Sequence, residues 1–541
     1  MDSFSGSSLP GSKAHYSKKT FSYIVATPCS MTFFHQFSGK TFWWTLVALV
    51  GLDVISFFTL HSTAETVLFF VLLILAIGIG IKKPEWLFPI AMAELISTSN
   101  GHSLNIELGG ISIGLRIALF TILMIVTGVR LLRTKHNPIP VAYRLPTTLL
   151  VLLLMYGVLR GLVSGYDLKI LYLDANGYLA VGYILAAFTW VQDSVSRRRL
   201  LQFVGAGVTI VTFKTLLFFF AFGHLHPKTL APLYTWIRDT RLGEITLQMG
   251  NVYRIFLQSQ WFLVPAVFLT AGYMLLAEKS RENGVRLAHL LVFAAIVASL
   301  SRTFWLAIVC SVVLFILYVI WSRGWRVLIS RIPDLALTKI GAIALLWVIV
   351  ALPIFQVEGT TVFGSLLRSR ATGTQDSALD SRRKLVGPLL ASIGEEPLAG
   401  HGLGAQVVYE TSDQRYIDSR GTTSVSSYVF EWGWLDFLVK FGILGTGVLL
   451  YLFYTVGADL WQAANKHQAQ SWLFISLLLS FVALLVAHMF SPYLNHPIGW
   501  GTIAMMVALV PRVRMLARPK KQSTRALQSL PAIKPITTRK I

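Results

Sequence analysis

The sequence predicts an all-α membrane protein, a transmembrane helical bundle of about 12–14 spans with a large extracytoplasmic loop between two late helices. Two observations support this fold class. Of the 541 residues, 54% are hydrophobic and only 13% are charged, whereas soluble domains carry roughly 25% charged residues. The hydrophobic residues also gather in runs of about 15–23, which is the length needed to cross a hydrocarbon core.

Composition along the chain divides it into five parts. The first part is polar and lacks a signal-peptide cleavage pattern, so we expect a cytoplasmic tail. Two long connections interrupt the alternation of apolar runs and short loops, and long structured loops usually carry function. The predicted parts are a cytoplasmic N-terminal tail (1–41), a transmembrane bundle (42–355) with an outer loop (223–254), a large extracytoplasmic loop (356–428), C-terminal transmembrane helices (429–511) and a basic cytoplasmic tail (512–541).

The distribution of Lys and Arg predicts the orientation. Short loops such as "IKKPE" and "SRRR" lie on one side of the predicted bundle, and "HSTAET" and "SPYLNHP", which lack Lys and Arg, lie on the other. Cytoplasmic loops carry the excess of basic residues, so both termini are expected inside and both long loops outside. Much of the net charge of +22 is therefore a topology signal, and we expect no nucleic-acid partner.

Charged residues also recur at the predicted outer level of the bundle. A charge within the bilayer is costly and is usually functional, although a single Arg near the interface can reach headgroups instead. Five cations at one depth favour an anionic ligand, and the planar fork of Arg suits phosphate. A lipid diphosphate entering from the outer leaflet fits this pattern. The charged residues at this level are Arg116, Arg160, Asp174, Lys214, Arg254, Arg302 and Glu431.

The sequence contains no motif for a metal or a nucleotide. No HExxH, Cys cluster or Walker A loop occurs, and "GHGLG" at 400–404 is best explained as a tight turn. We therefore expect no cofactor and no metal. A reaction would have to draw on energy already present in its substrate, such as a polyprenyl-diphosphate leaving group.

Three segments resemble the O-antigen ligase and O-antigen polymerase superfamily. They are "SRTFWLAIVCSVVLFIL", "RRKLVGPLLASIGEEPLAGHGLG" and "EWGWLDFLVKFGILG", within about 255–454. The resemblance implies a glycosyltransferase in the bacterial cytoplasmic membrane, with its active site facing outside. It also implies a donor oligosaccharide on polyprenyl diphosphate and an acceptor glycan or glycolipid.

The third segment departs from the family pattern. The family has a His and a polar residue followed by a nine-residue spacer and then Gly-x-x-Gly, and this chain has Glu431 and Trp432 in place of the His and the polar residue. A carboxylate performs the same base chemistry if an apolar surround raises its pKa. The departure favours a polymerase or another glycan transferase over a ligase.

The resemblance and the outer charges together predict the site residues. Glu431 is the expected base for the acceptor hydroxyl, or alternatively only the ion-pair partner of an outer arginine. Arg302 and Arg254 are expected to stabilise the leaving diphosphate. The remaining candidates for substrate binding are Arg241, Lys214, Arg160, Arg116 and Trp432.

Two other interpretations remain open. A secondary transporter or flippase of a lipid-linked or anionic solute would also have many spans and intramembrane charges, but it should show an internal repeat, and none is convincing here. A peptidoglycan polymerase of the shape, elongation and division class would share the chemistry with fewer spans.

Overall fold

Helices dominate the fold. The computed structural model describes residues 33–108, 111–135, 137–249, 252–277, 282–351, 377–411, 417–418 and 421–512, so most of the two predicted tails lies outside the described residues. The helices are α1 (Phe33–Phe37), α2 (Lys40–Thr59), α3 (Thr63–Lys82), α4 (Leu87–Ser97), α5 (Leu115–Thr134), α6 (Val141–Val163), α7 (Leu168–Leu179), α8 (Gly182–Trp190), α9 (Ser194–His224), α10 (Pro227–Asp239), α11 (Leu263–Leu276), α12 (Asn283–Ala298), α13 (Arg302–Arg323), α14 (Trp325–Ala351), α15 (Ser377–Glu395), α16 (Gly433–Lys466), α17 (Ser471–Phe490) and α18 (Pro497–Leu509).

The all-α membrane fold is confirmed. Among the described residues, 11 helical stretches are long and apolar enough to cross a membrane, and α12 and α18 are shorter apolar helices. The stretches of 18 residues or more are Lys40–Thr59, Thr63–Lys82, Leu115–Thr134, Val141–Val163, Leu168–Trp190, Ser194–His224, Gln258–Leu276, Arg302–Arg323, Trp325–Ala351, Gly433–Lys466 and Gln468–Phe490.

The core of the bundle lies around α11, which packs against α12 and α17. Two apolar runs do not form simple membrane helices. The short run Trp86–Ser99 contains α4, whose side chains are almost all buried against α5 and α9 rather than facing lipid. The run Gly177–Val191 belongs to a longer stretch that breaks between α7 and α8.

In the part of the chain that the structure describes, three antiparallel hairpins lie in connections between helices. Each pairs two strands that follow one another in the chain, and Ile106 faces Ile113, Ile245 faces Ile255 and Val408 faces Ser426. They are β1 (Asn105–Leu108) with β2 (Ile111–Gly114), β3 (Gly243–Met249) with β4 (Val252–Leu257), and β5 (Val407–Glu410) with β6 (Ser424–Ser427).

A break in α16 anchors the large loop to the bundle. Gly442 has φ 63°, in the left-handed region, and interrupts the helix. Two carbonyls just before the break accept hydrogen bonds from the "GHGLG" turn. The His401 N–H donates to Val439 at 2.8 Å, and the Gly402 N–H donates to Lys440 at 2.9 Å. The turn therefore satisfies backbone groups that the broken helix leaves without partners.

The same turn fits closely against α6. Gly402 has φ 87°, and a Cβ at this position would lie 2.8 Å from the Cβ of Arg160. The Leu403 N–H donates to the Gly157 carbonyl at 2.9 Å. The tight turn predicted for "GHGLG" is thus confirmed, and its glycines allow it to lie between α6 and α16.

Candidate active site

A cavity of about 520 Å³ opens between α5, α7, α15 and the connection from α17 to α18. Its volume is within the range of small-molecule sites. Three of the eight predicted site residues, Arg116, Arg241 and Glu431, line it. They come from separate parts of the chain: the start of α5, the turn after α10 and the segment before α16.

Arg116 forms part of the wall but is committed to protein partners. Its side chain is buried, and Nε donates to Glu94 at 3.2 Å. Its other nitrogens donate to Thr98 Oγ1 at 3.0 Å and to the Ser99 carbonyl. Such a fully paired guanidinium holds the α4–β1 connection in place and contributes positive potential to the cavity.

Arg382 and Glu431 form an ion pair at the cavity wall. Arg382 Nε donates to the Glu431 carboxylate, whose side chain is 52% exposed. Trp432, the neighbouring candidate, donates from Nε1 to the Arg382 carbonyl at 2.9 Å. The apolar surround expected for Glu431 is therefore wrong, because a guanidinium and solvent face the carboxylate instead.

Arg254 and Arg302 lie behind the cavity lining. The Arg254 guanidinium stacks 4.7 Å from the ring centre of Phe256, which lines the cavity. Arg302 begins α13, and the next residue, Thr303, lies with Oγ1 3.5 Å from Oγ of the lining residue Ser491. Their assignment to the diphosphate stays a prediction.

Lys214 and Arg160 are not among the residues lining this cavity. Lys214 is buried, with Nζ 3.1 Å from Asp53 and 2.6 Å from the Ser97 carbonyl. Arg160 pairs with Glu396 at 3.0 Å, where α6 meets the large loop. Lys214 therefore has a structural partner in Asp53, and Arg160 connects α6 to the large loop through Glu396.

Asp174, the acidic residue of α7, belongs to a buried network. Lys440 Nζ lies 2.6 Å from Asp174 Oδ1 and 2.9 Å from Asp436 Oδ1. The Gly404 N–H donates to the second Asp174 oxygen at 2.8 Å, and the Tyr178 hydroxyl donates to Asp436 at 3.1 Å. The network holds α7, α16 and the glycine-rich turn together, and α7 forms one wall of the cavity.

Sequence reasoning missed several lining residues. Arg382 lies within the "RRKL" segment that carries the resemblance, and that resemblance could have identified Arg382 as a candidate site residue. His102 and His496 also line the cavity and lie outside the spans. Burial, with Arg241 and then Arg116, lowers the pKa of His102 to about 4. Burial, with Arg116, lowers that of His496 to about 3.

Both imidazoles are therefore neutral near pH 7. Within the described ranges, no three His, Cys, Asp or Glu side chains are grouped so that they could hold a metal ion. The polar groups that line the cavity are guanidinium, carboxylate, imidazole, carboxamide and hydroxyl groups.

Residues 287–450 match the family model described as O-antigen ligase. Over this region the chain is similar to O-antigen ligases. The matched region contains Arg302, Arg382 and Glu431 and ends beyond the break in α16, so the resemblance to the O-antigen ligase and polymerase superfamily is confirmed. The match supports, in general terms, a membrane glycosyltransferase of the O-antigen ligase type. No curated protein matches the chain.

Proposed function

We propose that the chain transfers an oligosaccharide from a polyprenyl-diphosphate carrier to a sugar hydroxyl at the outer leaflet of the bacterial cytoplasmic membrane, without a metal. The observation that carries the proposal is the convergence of Arg241, Arg382 and Glu431 on one cavity. Arg382 and Glu431 lie in the region that is similar to O-antigen ligases. Guanidinium groups suit a diphosphate, and a carboxylate suits a hydroxyl.

The proposed reaction is a single displacement. A diphosphate competes with Glu431 for Arg382, and this releases the carboxylate. Glu431 takes the proton of the acceptor hydroxyl while the acceptor oxygen forms a bond to the anomeric carbon. The bond from that carbon to the diphosphate oxygen breaks, the diphosphate leaves with the electron pair, and the configuration inverts. Arg382 and Arg241, with Arg254 and Arg302 behind them, stabilise the negative charge that develops.

The acceptor distinguishes two versions of this activity. A second lipid-linked repeat as acceptor would make the protein a polymerase, and a lipid A core sugar would make it a ligase. Glu431 in place of the family histidine favours the polymerase. Both versions place the acceptor hydroxyl beside Glu431.

Glu431→Gln tests the proposal. The amide is nearly isosteric but cannot accept the proton, so transfer should fall by about 100-fold or more while donor binding persists. Glu431→His should recover part of the rate, with a pH profile moved toward about 6.5. The assay is elongation of a lipid-linked repeat by purified protein, resolved on a gel, with and without EDTA.

Glu396→Gln is the matched control. It removes the acid of the other half-exposed pair, Arg160–Glu396, and should leave transfer nearly unchanged. A Glu431→Gln protein that transfers at close to the parental rate would remove Glu431 from the reaction. Loss of transfer in EDTA, restored by Mg²⁺, would contradict metal independence. Facilitated movement of lipid-linked glycan without any elongation would favour the transporter alternative.

A further inference from the structure

The cavity has a second kind of wall that the proposed transfer does not use. Asn100, Asn176 and Asn495 are three of the four carboxamide side chains that line it. They are contiguous. A Cβ on Gly177, next to Asn176, would lie 2.1 Å from the Asn495 carbonyl oxygen, and His496 Nε2 lies 3.1 Å from Asn100 Oδ1. We call these three residues the amide wall.

The buried network fixes the orientation of Asn495. Its Nδ2 donates to Asp436 Oδ2, which also accepts from the Tyr178 hydroxyl. A carboxylate only accepts hydrogen bonds, so the amide nitrogen must face Asp436 and the amide oxygen must turn away. Asn495 Oδ1 is buried and has no hydrogen-bond partner within the described part of the chain. It is an acceptor that requires a donor.

The orientation of Asn100 is fixed from the other side. His496 Nδ1 accepts from the Ile498 N–H at 3.3 Å, so Nε2 carries the proton and donates to Asn100 Oδ1. This leaves the Asn100 amide nitrogen as a donor. The Asn176 carboxamide makes no side-chain hydrogen bond with any other described residue and keeps both donors and acceptor.

The chemistry of this wall differs from that of the arginines. Phosphate oxygens only accept hydrogen bonds, so they cannot use the oxygens of Asn176 and Asn495. A sugar hydroxyl donates one hydrogen bond and accepts others, which matches a carboxamide.

We propose that the amide wall binds the hydroxyl groups of a sugar ring, so that the saccharide lies against Asn100, Asn176 and Asn495 while its diphosphate faces Arg382 and Arg241. This inference rests on the proposed function. It makes the three asparagines specificity-determining residues for the saccharide, with Asp436 as a positioning residue behind Asn495.

The test uses the full chain in nanodiscs and two probes. Saturation-transfer NMR reports binding of a panel of methyl glycosides in the presence of farnesyl diphosphate, and displacement of labelled farnesyl diphosphate reports the anion site. Asn176→Ala should reduce glycoside binding by about tenfold, which is the effect of losing one or two hydrogen bonds, and should leave farnesyl diphosphate binding unchanged. If the Asn495→Ala protein folds, it should show the same loss of glycoside binding. If it does not fold, Asn176→Ala still tests the inference, because the Asn176 side chain makes no hydrogen bond to another described residue.

Asn465→Ala is the matched control, since Asn465 is exposed at the far end of α16. Glycoside binding by Asn176→Ala equal to that of the unaltered protein would overturn the inference. An unaltered protein that binds farnesyl diphosphate but no glycoside would also overturn it while leaving the proposed function standing. If the unaltered protein binds neither probe, the proposed function fails and the inference falls with it.

Discussion

Ion pairs in the bundle interior and ion pairs beside the large loop use the same residue types in opposite ways. In the interior, the pairs Arg116–Glu94 and Lys440–Asp174 have side chains that are 6% exposed or less. Beside the loop, Arg382–Glu431 and Arg160–Glu396 are 31–52% exposed. The depth of a charge in the bundle therefore does not reveal its role, whereas its partner and its exposure do.

The difference has an energetic basis. A buried charge without its partner is strongly unfavourable, so interior pairs are fixed parts of the structure. An exposed pair contributes about 1 kcal/mol or less, so an anionic ligand can displace its acid at little cost. Of these four pairs, the two beside the loop can exchange a protein partner for a substrate, and of those two only Arg382–Glu431 lines the cavity.

Removing the cation of the buried network should have the largest effect. Lys440→Met leaves the two carboxylates of Asp174 and Asp436 buried together and should destabilise the protein by about 3–5 kcal/mol. Thermal unfolding of the purified protein in detergent measures this loss. Lys466→Met, at the exposed end of the same helix, is the control and should change little. Equal stability of the two variants would contradict the division into fixed and exchangeable pairs.

The two ion pairs beside the large loop differ in position, because Arg382–Glu431 lines the cavity and Arg160–Glu396 does not. Arg382→Ala should reduce glycan transfer by about 100-fold, since it removes a phosphate ligand from the cavity. Arg160→Ala should leave most of the rate, because Arg160 pairs with Glu396 away from the cavity. Both variants should remain folded, because each loses only a half-exposed pair. Similar losses of transfer in both variants, in the gel assay, would show that the loop anchor rather than the cavity explains the effect.

The contrast also explains what sequence could predict. Hydropathy predicted the spans, and two of the three segments that carry the resemblance contained Arg302 and Glu431. The partners were not predictable, because the acids of Arg116 and Lys214 lie 22 and 161 residues away. Packing of helices decides those pairings. Asn100 and Asn495 were missed because polar residues in short connections show no periodicity, and Asn176 was missed because a single neutral polar residue in an apolar helix carries no charge signal.

The smallest expected effect concerns two neutral imidazoles, His102 and His496, which lie near the buried Arg116. In the folded protein the pKa of His102 is about 4 and that of His496 about 3, against about 6.5 when unfolded. At a pH between the folded and the unfolded pKa values, the unfolded chain binds more protons than the folded protein. The contribution of these imidazoles to the free energy of unfolding is therefore complete above pH 6.5 and falls as the pH drops toward 4.

Lowering the pH from 6.5 to 5 should therefore lower the unfolding temperature by about a few degrees, in a window above most carboxylate titrations. His102→Gln should flatten this pH dependence, since glutamine does not titrate. His467→Gln, which changes an exposed imidazole at the end of α16, should not. The measurement is thermal unfolding across this window for the three proteins. An unchanged slope in His102→Gln would mean that folding does not shift the pKa of His102, so burial and the arginines around it would not set its charge.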